Sequence, residues 1–266
     1  MKLAIIFWFY KEPEICLNRL KLIKKHNPNS KIFGLYGGDK KDVSKYKSKL
    51  GEYLDDFYIT TLHNKSKEYK WIHGDLMILD WYQNRGINLE EWDSVAVVQW
   101  DALILGNIKK QLSGLKRGEI FISGTRILDN YIEGKWSWTK KGNKERKNYQ
   151  KFREYVKKEY NYSNKLLCSL FIFQVFPKEF FDKWMTVENK EIGMLEYKIP
   201  TYAKIFGIPI YKHNLGVWWF NKKVKRGETP LNAREVEISQ KLIKSELKKK
   251  DGFRIFHPYF KEWEIN

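Results

Sequence analysis

Three side chains of this sequence stand where they could carry chemistry. Asp101 directly follows the run SVAVVQW at residues 94–100, so its carboxylate lies at the tip of an apolar strand. His257 precedes a proline, which keeps the backbone of the histidine extended and restricts the direction of its ring. Glu196 lies four residues before a proline in the segment EYKIPT. An imidazole suits a divalent cation or a phosphate, and a carboxylate can accept a hydroxyl proton.

Each of these residues also has an ordinary structural interpretation. An aspartate after a strand often caps a helix, a histidine before proline often packs in a core, and a glutamate near a helix start is often solvated. Glu191 is a weaker alternative to Glu196. His73 and Asp75 lie in a strongly amphipathic predicted helix, so metal ligation is not expected there.

The first forty residues predict a strand, a helix and a second strand. Residues 3–10 and 31–36 are apolar runs typical of buried strands. Between them, Pro13 fits the first turn of a helix that ends by residues 27–28. Two strands joined in this way form a right-handed crossover with parallel strands.

Strands and helices continue to alternate along the chain. Further strands are predicted at 57–60, 94–100, 119–123, 166–176 and 208–211, and further helices at 69–84, 178–186, 200–206 and 231–249. Residues 129–165 are too short and polar to own a core, and we interpret them as an insertion packed on one side. The pattern predicts one α/β domain over residues 1–266, with a mostly parallel central sheet flanked by helices.

The polar residues at the strand ends are the strongest candidates for ligand binding. In an open α/β sheet, ligands bind beyond the carboxyl ends of the strands. Gly37, Gly38 and Asp39 end the second predicted strand, and Gln99 precedes Asp101 at the end of a central one.

The formal net charge of +18 predicts an anionic partner, which could be a phosphate-bearing substrate, nucleic acid or a membrane surface. The basic residues are 41 Lys and only 9 Arg, and this ratio argues against nucleic acid, whose readers rely on arginine. The basic helix predicted near residues 234–250 is amphipathic enough to lie on anionic lipid.

The sequence shows no pattern of a spanning segment or a secretory leader. The longest apolar run, residues 3–10, is far shorter than the roughly 20 residues of a membrane-spanning helix. The cysteines, Cys16 and Cys168, form neither a CxxC motif nor a disulfide framework. We expect a cytoplasmic protein, with peripheral membrane association as an open possibility.

The order of several weak motifs resembles that of nucleotide-sugar-dependent glycosyltransferases of the GT-A fold. The motifs are LYGG, the apolar strand that ends in an acidic residue, E-x-x-x-P-T, G-I-P-I and F-H-P. The resemblance covers roughly residues 3–126 and 166–260. The order of these motifs along the chain is fairly specific.

The resemblance implies transfer of a sugar from a nucleotide-sugar donor to a hydroxyl of a glycan, a lipid-linked saccharide or a protein. It implies that Asp101 and His257 hold Mn²⁺ or Mg²⁺ against the donor diphosphate, and that Glu196 serves as base or acceptor anchor. Gln99 stands where the D-x-D motif of the family has its first acid. The residues that correspond to the nucleoside pocket are Phe9, Tyr10, Gly37, Gly38, Asp39, Gln99 and Trp100.

Several alternatives stay open at this point. Because Gln99 carries no charge, the chain could be a degenerate member that binds nucleotide without turnover, or a metal-independent enzyme that uses basic residues. A nucleic-acid-binding protein is the alternative from another class, although nucleic acid is not the expected partner. The resemblance implies that the basic, aromatic insertion at residues 129–165 lies on the acceptor side, where Trp136 and Trp138 could present flat faces to an acceptor sugar or simply pack in the core.

Overall fold

A six-stranded sheet forms the centre of the computed structural model, which describes residues 1–90, 92–220 and 223–265. The other four positions of the predicted domain lie outside the described residues. In chain order the strands are β1 (Leu3–Phe9), β2 (Ile32–Tyr36), β3 (Asp56–Ile59), β4 (Ser94–Gln99), β5 (Leu103–Ile104), β6 (Phe121–Ile122), β7 (Arg126–Ile127), β8 (Leu167–Cys168), β9 (Phe173–Pro177) and β10 (Ile255–Phe256).

Helices surround this sheet. In chain order they are α1 (Pro13–His26), α2 (Val43–Leu50), α3 (Lys67–Ile72), α4 (Gly74–Asn84), α5 (Ile108–Gln111), α6 (Asn130–Lys135), α7 (Arg146–Tyr160), α8 (Lys178–Met185), α9 (Leu195–Ile205) and α10 (Gln240–Lys248). Within the described ranges, no helix combines the length and apolar character needed to cross a bilayer.

The strand order of the sheet is β3-β2-β1-β4-β9-β6. β1 pairs in parallel with both β2 and β4, and β2 pairs in parallel with β3. β9 runs antiparallel to β4 and β6. The predicted α/β class with a mostly parallel sheet is therefore confirmed. Because the chain proceeds outward from β1 on one side and from β4 on the other, these two strands flank a topological switch point.

Alternating side chains of the strands pack into two hydrophobic cores, one on each face of the sheet. In β1, Leu3, Ile5, Phe7 and Phe9 join the core that contains α1 and α2. The intervening residues of β1 join the opposite core, which contains α4, α8 and α9. A strand buried on both faces needs apolar residues at every position, which is why β1 reads as an unbroken apolar run.

The segment 129–165 contributes to the second of these cores. Ile132, Phe152 and Val156 are buried in the same cluster as Ile6 of the sheet. These contacts explain why a polar, lysine-rich segment carries regularly spaced apolar residues. That residues 1–266 form one catalytic domain, with this segment on the acceptor side, stays a prediction.

The helix predicted at 69–84 is two helices, α3 and α4, with a break at His73. Gly74 begins the second helix, and a Cβ atom at this position would lie 2.4 Å from the ring of Trp8. The indole at the end of β1 therefore occupies the space that a side chain would need. The continuous apolar spacing did not reveal this break because it depends on a distant strand.

The prediction of one strand at 166–176 is wrong, because residues 169–172 leave the extended path between β8 and β9. The backbone N–H of Ser169 donates to the carbonyl of Glu196 over 2.8 Å, and that of Leu170 donates to the carbonyl of Ser123 over 3.1 Å. These long-range bonds replace the ladder of a continuous strand.

The helix predicted at 200–206 begins earlier, at Leu195, so that Pro200 lies inside α9. Proline lacks an N–H and therefore cannot donate to the carbonyl four residues before it, which is that of Glu196. Ser169 supplies the missing donors through its backbone N–H at 2.8 Å and its Oγ at 3.0 Å. The helix continues through proline because the loop before β9 satisfies the exposed carbonyl.

Three other element predictions were too long. Of the helix predicted at 231–249, only α10 is helical, because Asn232 and Ile238 donate backbone hydrogen bonds to His257 and Pro258 of the C-terminal segment. The strand predicted at 208–211 forms only an isolated bridge at Ile210, and the strand predicted at 119–123 shortens to β6.

Candidate functional site

The ends of β1, β2 and β4 lie side by side at the switch point. The backbone N–H of Trp100 donates to the carbonyl of Trp8, and the N–H of Gly37 donates to the carbonyl of Phe9, both over 2.9 Å. The three strand ends that the sequence singled out are therefore held next to one another. This edge is where an open α/β sheet binds ligands.

Asp101 and His257 meet just beyond the end of β4. The distance from His257 Nε2 to Asp101 Oδ1 is 3.4 Å, and the side chains are 11% and 15% exposed. The sequence interpretation required these two distant residues to come together, and the structure brings them together.

Two contacts hold the imidazole of His257 in this orientation. Its Nδ1 lies 2.8 Å from the backbone carbonyl of Asn232. Because a carbonyl can only accept, Nδ1 carries the proton of this bond and Nε2 faces Asp101. The peptide bond between His257 and Pro258 is cis.

Arg19 anchors the C-terminal segment that carries His257. Its buried guanidinium donates to the carbonyls of Tyr259 and Lys261, each over 2.8 Å. Tyr259 in turn donates its backbone N–H to the carbonyl of Asp101 over 2.9 Å. The segment is thus fixed to α1 on one side and to the end of β4 on the other.

The electrostatics of the pair favour its charged form. Burial alone would raise the pKa of Asp101, but the neighbouring imidazolium lowers it below the usual value on balance. Burial alone would lower the pKa of His257, but the carboxylate of Asp101 raises it on balance. Asp101 Oδ1 is buried, and no described residue donates a hydrogen bond to it in suitable geometry. This oxygen therefore has capacity for a cation or a donor from a ligand.

An aromatic cluster with one ammonium group borders Asp101. The buried ring of Trp100 stacks on Phe260 at 5.9 Å and meets the edge of Tyr10 at 6.1 Å. Lys11 Nζ lies 4.7 Å from the Trp100 ring and close enough to Asp101 to help lower the pKa of that carboxyl. Tyr10 is 43% exposed, so one ring of the cluster reaches solvent.

Glu196 is buried in the first turn of α9, where both of its carboxylate oxygens accept hydrogen bonds. The backbone N–H of Phe171 donates to Oε1, and the indole N–H of Trp138 donates to Oε2, each over 3.1 Å. Burial raises the pKa of Glu196 to about 7, although both donors and the charge of Arg234 act to lower it. Each oxygen retains capacity for another hydrogen bond.

Phe171 connects the two halves of the site. Gln99 Nε2 donates to the carbonyl of Phe171 over 3.0 Å, while the N–H of Phe171 donates to Glu196. One backbone residue therefore separates the strand end that precedes Asp101 from the carboxylate of Glu196.

The glycine pair at the end of β2 lies in a tight environment. A Cβ atom on Gly37 would lie 2.4 Å from Met77 and 3.2 Å from the indole nitrogen of Trp8. The carbonyl of Gly37 accepts from Lys70 Nζ over 3.0 Å. Asp39 is exposed, and its backbone carbonyl accepts from the hydroxyl of Tyr36 over 2.9 Å. That Gly37, Gly38 and Asp39 bind a nucleoside stays a prediction.

Trp136 and Trp138 do not present their faces to solvent. They are 6% and 7% exposed, and Trp136 meets Trp219 edge-on at 5.8 Å. The core interpretation is therefore the correct one for both. Glu191, the weaker alternative to Glu196, accepts from the hydroxyl of Tyr69 over 2.6 Å.

A fully buried ion pair was not predicted from the sequence. Lys198 Nζ lies 2.6 Å from Asp75 Oδ2, and both side chains are 0% exposed. Lys198 also donates to the carbonyl of Lys190 over 2.8 Å. The pair joins α4 to the helix that carries Glu196. A lysine within the apolar helical segment YKIPTYA is a weak signal of such a partner.

Other features do not compete with this site. In the described part of the chain, no three His, Cys, Asp or Glu side chains gather as a metal cluster. A surface depression of about 210 Å³ lies elsewhere, between Leu22 of α1, Leu105 and Trp263. The chemistry-bearing side chains, rather than a deep cavity, therefore define the candidate site.

No family model matches the sequence, and the comparison with curated proteins found no match. Three glycosyltransferase structures resemble the chain at low identity. The bifunctional glycosyltransferase WbbM is 11% identical with a TM-score of 0.43, and the match covers 98% of this chain but 46% of WbbM. Mouse xyloside xylosyltransferase 1 is 11% identical with a TM-score of 0.40, covering 81% of this chain and 86% of that one.

The third structure is the galactosyltransferase LgtC with donor and acceptor sugar analogues. It is 10% identical with a TM-score of 0.43, and the match covers 81% of this chain and 75% of that one. All three proteins are named as glycosyltransferases, and the chain spans about half the length of WbbM. With TM-scores below 0.5, these likenesses identify neither a substrate nor a mechanism.

Proposed function

We propose that the chain is a glycosyltransferase that transfers a sugar from a nucleotide-sugar donor to a hydroxyl of a glycan, a lipid-linked saccharide or a protein. The contact between Asp101 and His257 at the switch point carries this proposal. It places a carboxylate and an imidazole where a parallel sheet binds a nucleotide.

The donor side is assigned to Asp101, His257 and Lys11. When a nucleoside diphosphate leaves, negative charge develops on its phosphates and must be stabilised. Mn²⁺ or Mg²⁺ would supply positive charge that stabilises these phosphates when bound. The two residues fit such an ion once Nε2 of His257 has lost its proton, because Asp101 Oδ1 has no hydrogen-bond donor in the described part of the chain and Asn232 fixes the ring of His257, as a supporting contact does in metal sites. Lys11 adds a fixed positive charge beside them.

Gln99 explains why metal binding should be weak without nucleotide. Its side-chain amide donates to the carbonyl of Phe171, so it serves the acceptor-side loop. Only Asp101 and His257 then remain as protein ligands. The donor phosphates must supply further ligands, and metal and nucleotide are expected to bind together.

The acceptor side is assigned to Glu196. A carboxylate with a pKa near neutral is a stronger base than an ordinary one, and it can take the proton of an acceptor hydroxyl as the new bond forms. Phe171 and Trp138 fix the carboxylate from two sides, which orients it for that transfer. A cytoplasmic location and peripheral membrane association stay predictions.

A donor panel tests the proposal. The protein is incubated with UDP-sugars and GDP-sugars and Mn²⁺, and release of nucleoside diphosphate is measured. We expect release from at least one donor and its loss in Asp101→Asn, with no loss in the control Asp251→Asn, which changes an exposed carboxylate. Binding of nucleotide without any turnover would indicate a degenerate member instead. Retention on DNA at moderate salt with no nucleotide binding would favour the nucleic-acid alternative.

A further inference from the structure

Two arginines lie over neighbouring tryptophan rings, and a third, Arg234, follows in the next segment of the chain. Arg226 Cζ lies 4.3 Å from the ring of Trp218, and Arg126 Cζ lies 5.6 Å from the ring of Trp219. Among the described residues, neither of them nor Arg234 forms an ion pair.

Three other arginines of the chain have carboxylate partners, and the guanidinium groups of Arg19 and Arg254 donate to backbone carbonyls. Arg85, Arg117 and Arg146 lie within 3.9, 3.2 and 3.1 Å of Asp or Glu oxygens. With only nine arginines in the chain, three unpaired ones in a single region stand out from the lysine-rich surface. A guanidinium on an indole ring keeps its planar fork oriented and open for an oxyanion.

The backbone places two of these arginines next to segments that hold the site residues. The N–H of Arg234 donates to Asn232 Oδ1 over 2.9 Å, and the carbonyl of Asn232 holds His257. Arg126 lies opposite Cys168 in the pairing of β7 with β8, one residue before the loop that binds Glu196. The region therefore lies between the two halves of the site.

Charge effects agree with this placement. The positive charge of Arg234 opposes the effect of burial on Glu196 and lowers the pKa of that carboxyl. Burial is the largest cause that lowers the pKa of Arg226, and the positive charge of Arg234 is the second. The charge of Arg234 therefore acts on both groups, whereas His257 and Lys11 are among the cations that act on Asp101.

We propose that Arg226 and Arg234, with Arg126 beside them, bind an oxyanion of the acceptor, so that the enzyme selects a saccharide that carries a phosphate or a carboxylate. This inference rests on the proposed function, because it assigns the site of Glu196 to the acceptor. Bidentate binding of an oxyanion by a guanidinium supplies both affinity and orientation.

Calorimetric titration with three sugars tests the proposal. Glucose 6-phosphate, glucuronate and glucose are titrated at constant ionic strength into the wild type, the double variant Arg226→Gln/Arg234→Gln and the control Arg153→Gln. Arg153 is also exposed and near a ring, that of Tyr149 at 5.8 Å, but lies on α7. We expect at least one charged sugar to bind more tightly than glucose, and the double variant to weaken that binding about tenfold for each arginine.

The pattern across the probes identifies the anion. Preference for glucose 6-phosphate indicates a phosphate on the acceptor, and preference for glucuronate indicates a carboxylate. Equal binding of charged and neutral sugars, or unchanged binding in the double variant, would overturn the proposal. The control variant should bind all three sugars as the wild type does.

Titration of UDP and GDP separates this proposal from the proposed function. We expect the double variant to bind the nucleotide as tightly as the wild type. An equal loss of nucleotide affinity would assign the arginines to the donor diphosphate and overturn the acceptor role. A wild type that binds a charged sugar through these arginines but binds no nucleotide would contradict the proposed function, while the anion site itself would stand.

Discussion

Glu196 shows how single residues acquire their chemistry from distant parts of this chain. Its backbone carbonyl lacks a helical donor because residue 200 is proline, and Ser169 donates to it instead. Its carboxylate accepts hydrogen bonds from Phe171 and Trp138. The result is a buried carboxylate whose pKa is raised to about 7. Such a group changes its charge within the pH range in which an enzyme works.

A pH profile tests this role. Only ionised Glu196 can accept a proton, so transfer should increase as the pH rises through about 7. Removing the indole N–H with Trp138→Phe withdraws a bond that lowers the pKa of Glu196, and the rising limb should therefore move to higher pH. Glu196→Gln should remove this limb and slow transfer by roughly 10²- to 10⁴-fold.

A matched substitution controls for loss of an indole. Trp92 is also buried, but its N–H has no hydrogen-bond partner within the described ranges. Trp92→Phe should leave the midpoint of the profile unchanged. An unshifted midpoint in Trp138→Phe, or a shift of equal size in Trp92→Phe, would contradict the assignment.

The sequence revealed the residues whose signals are local. Asp101 follows an apolar strand and His257 precedes a proline, and both patterns can be read within a few residues. The pair formed by Asp75 and Lys198 gave no comparable signal, because each residue is ordinary alone and only the packing of two helices brings them within 2.6 Å.

At the scale of elements, the strands of the sheet centre were the most predictable. β1, β2 and β4 are apolar at nearly every position because both of their faces are buried. The boundaries of α4, α9 and α10 were less predictable. They depend on Trp8 against Gly74, on a loop that satisfies a carbonyl, and on pairing with the C-terminal segment.

The contact between α4 and α9 depends on one buried ion pair. Asp75→Asn should lower the free energy of unfolding by about 3–5 kcal/mol, because it leaves the ammonium of Lys198 buried and unpaired. Urea unfolding measures this loss. The control Glu179→Gln breaks a surface pair with Lys183 and should cost no more than about 0.5 kcal/mol.

A double variant distinguishes an unpaired charge from a general packing defect. Replacing both partners, as in Asp75→Leu/Lys198→Met, removes both buried charges together. It should be less destabilised than Asp75→Asn. A double variant that loses as much stability as the single one would show that the cost is not electrostatic.

At the scale of the whole molecule, the structure shows where the basic residues behind the net charge of +18 lie. Most of the 41 lysines are spread over the chain, whereas Lys11 and three of the nine arginines lie at the two halves of the candidate site. The sequence predicted an anionic partner from the net charge. It could not predict which cations gather at the candidate site, because that depends on which loops meet beyond the sheet.

The most direct test of the central claim is a binding titration of UDP and GDP into the wild type and Asp101→Asn, each with and without Mn²⁺. We expect one nucleotide to bind, Mn²⁺ to tighten that binding in the wild type, and the gain from Mn²⁺ to disappear in Asp101→Asn. Absence of binding by either nucleotide, or a gain from Mn²⁺ that persists in Asp101→Asn, would contradict the account.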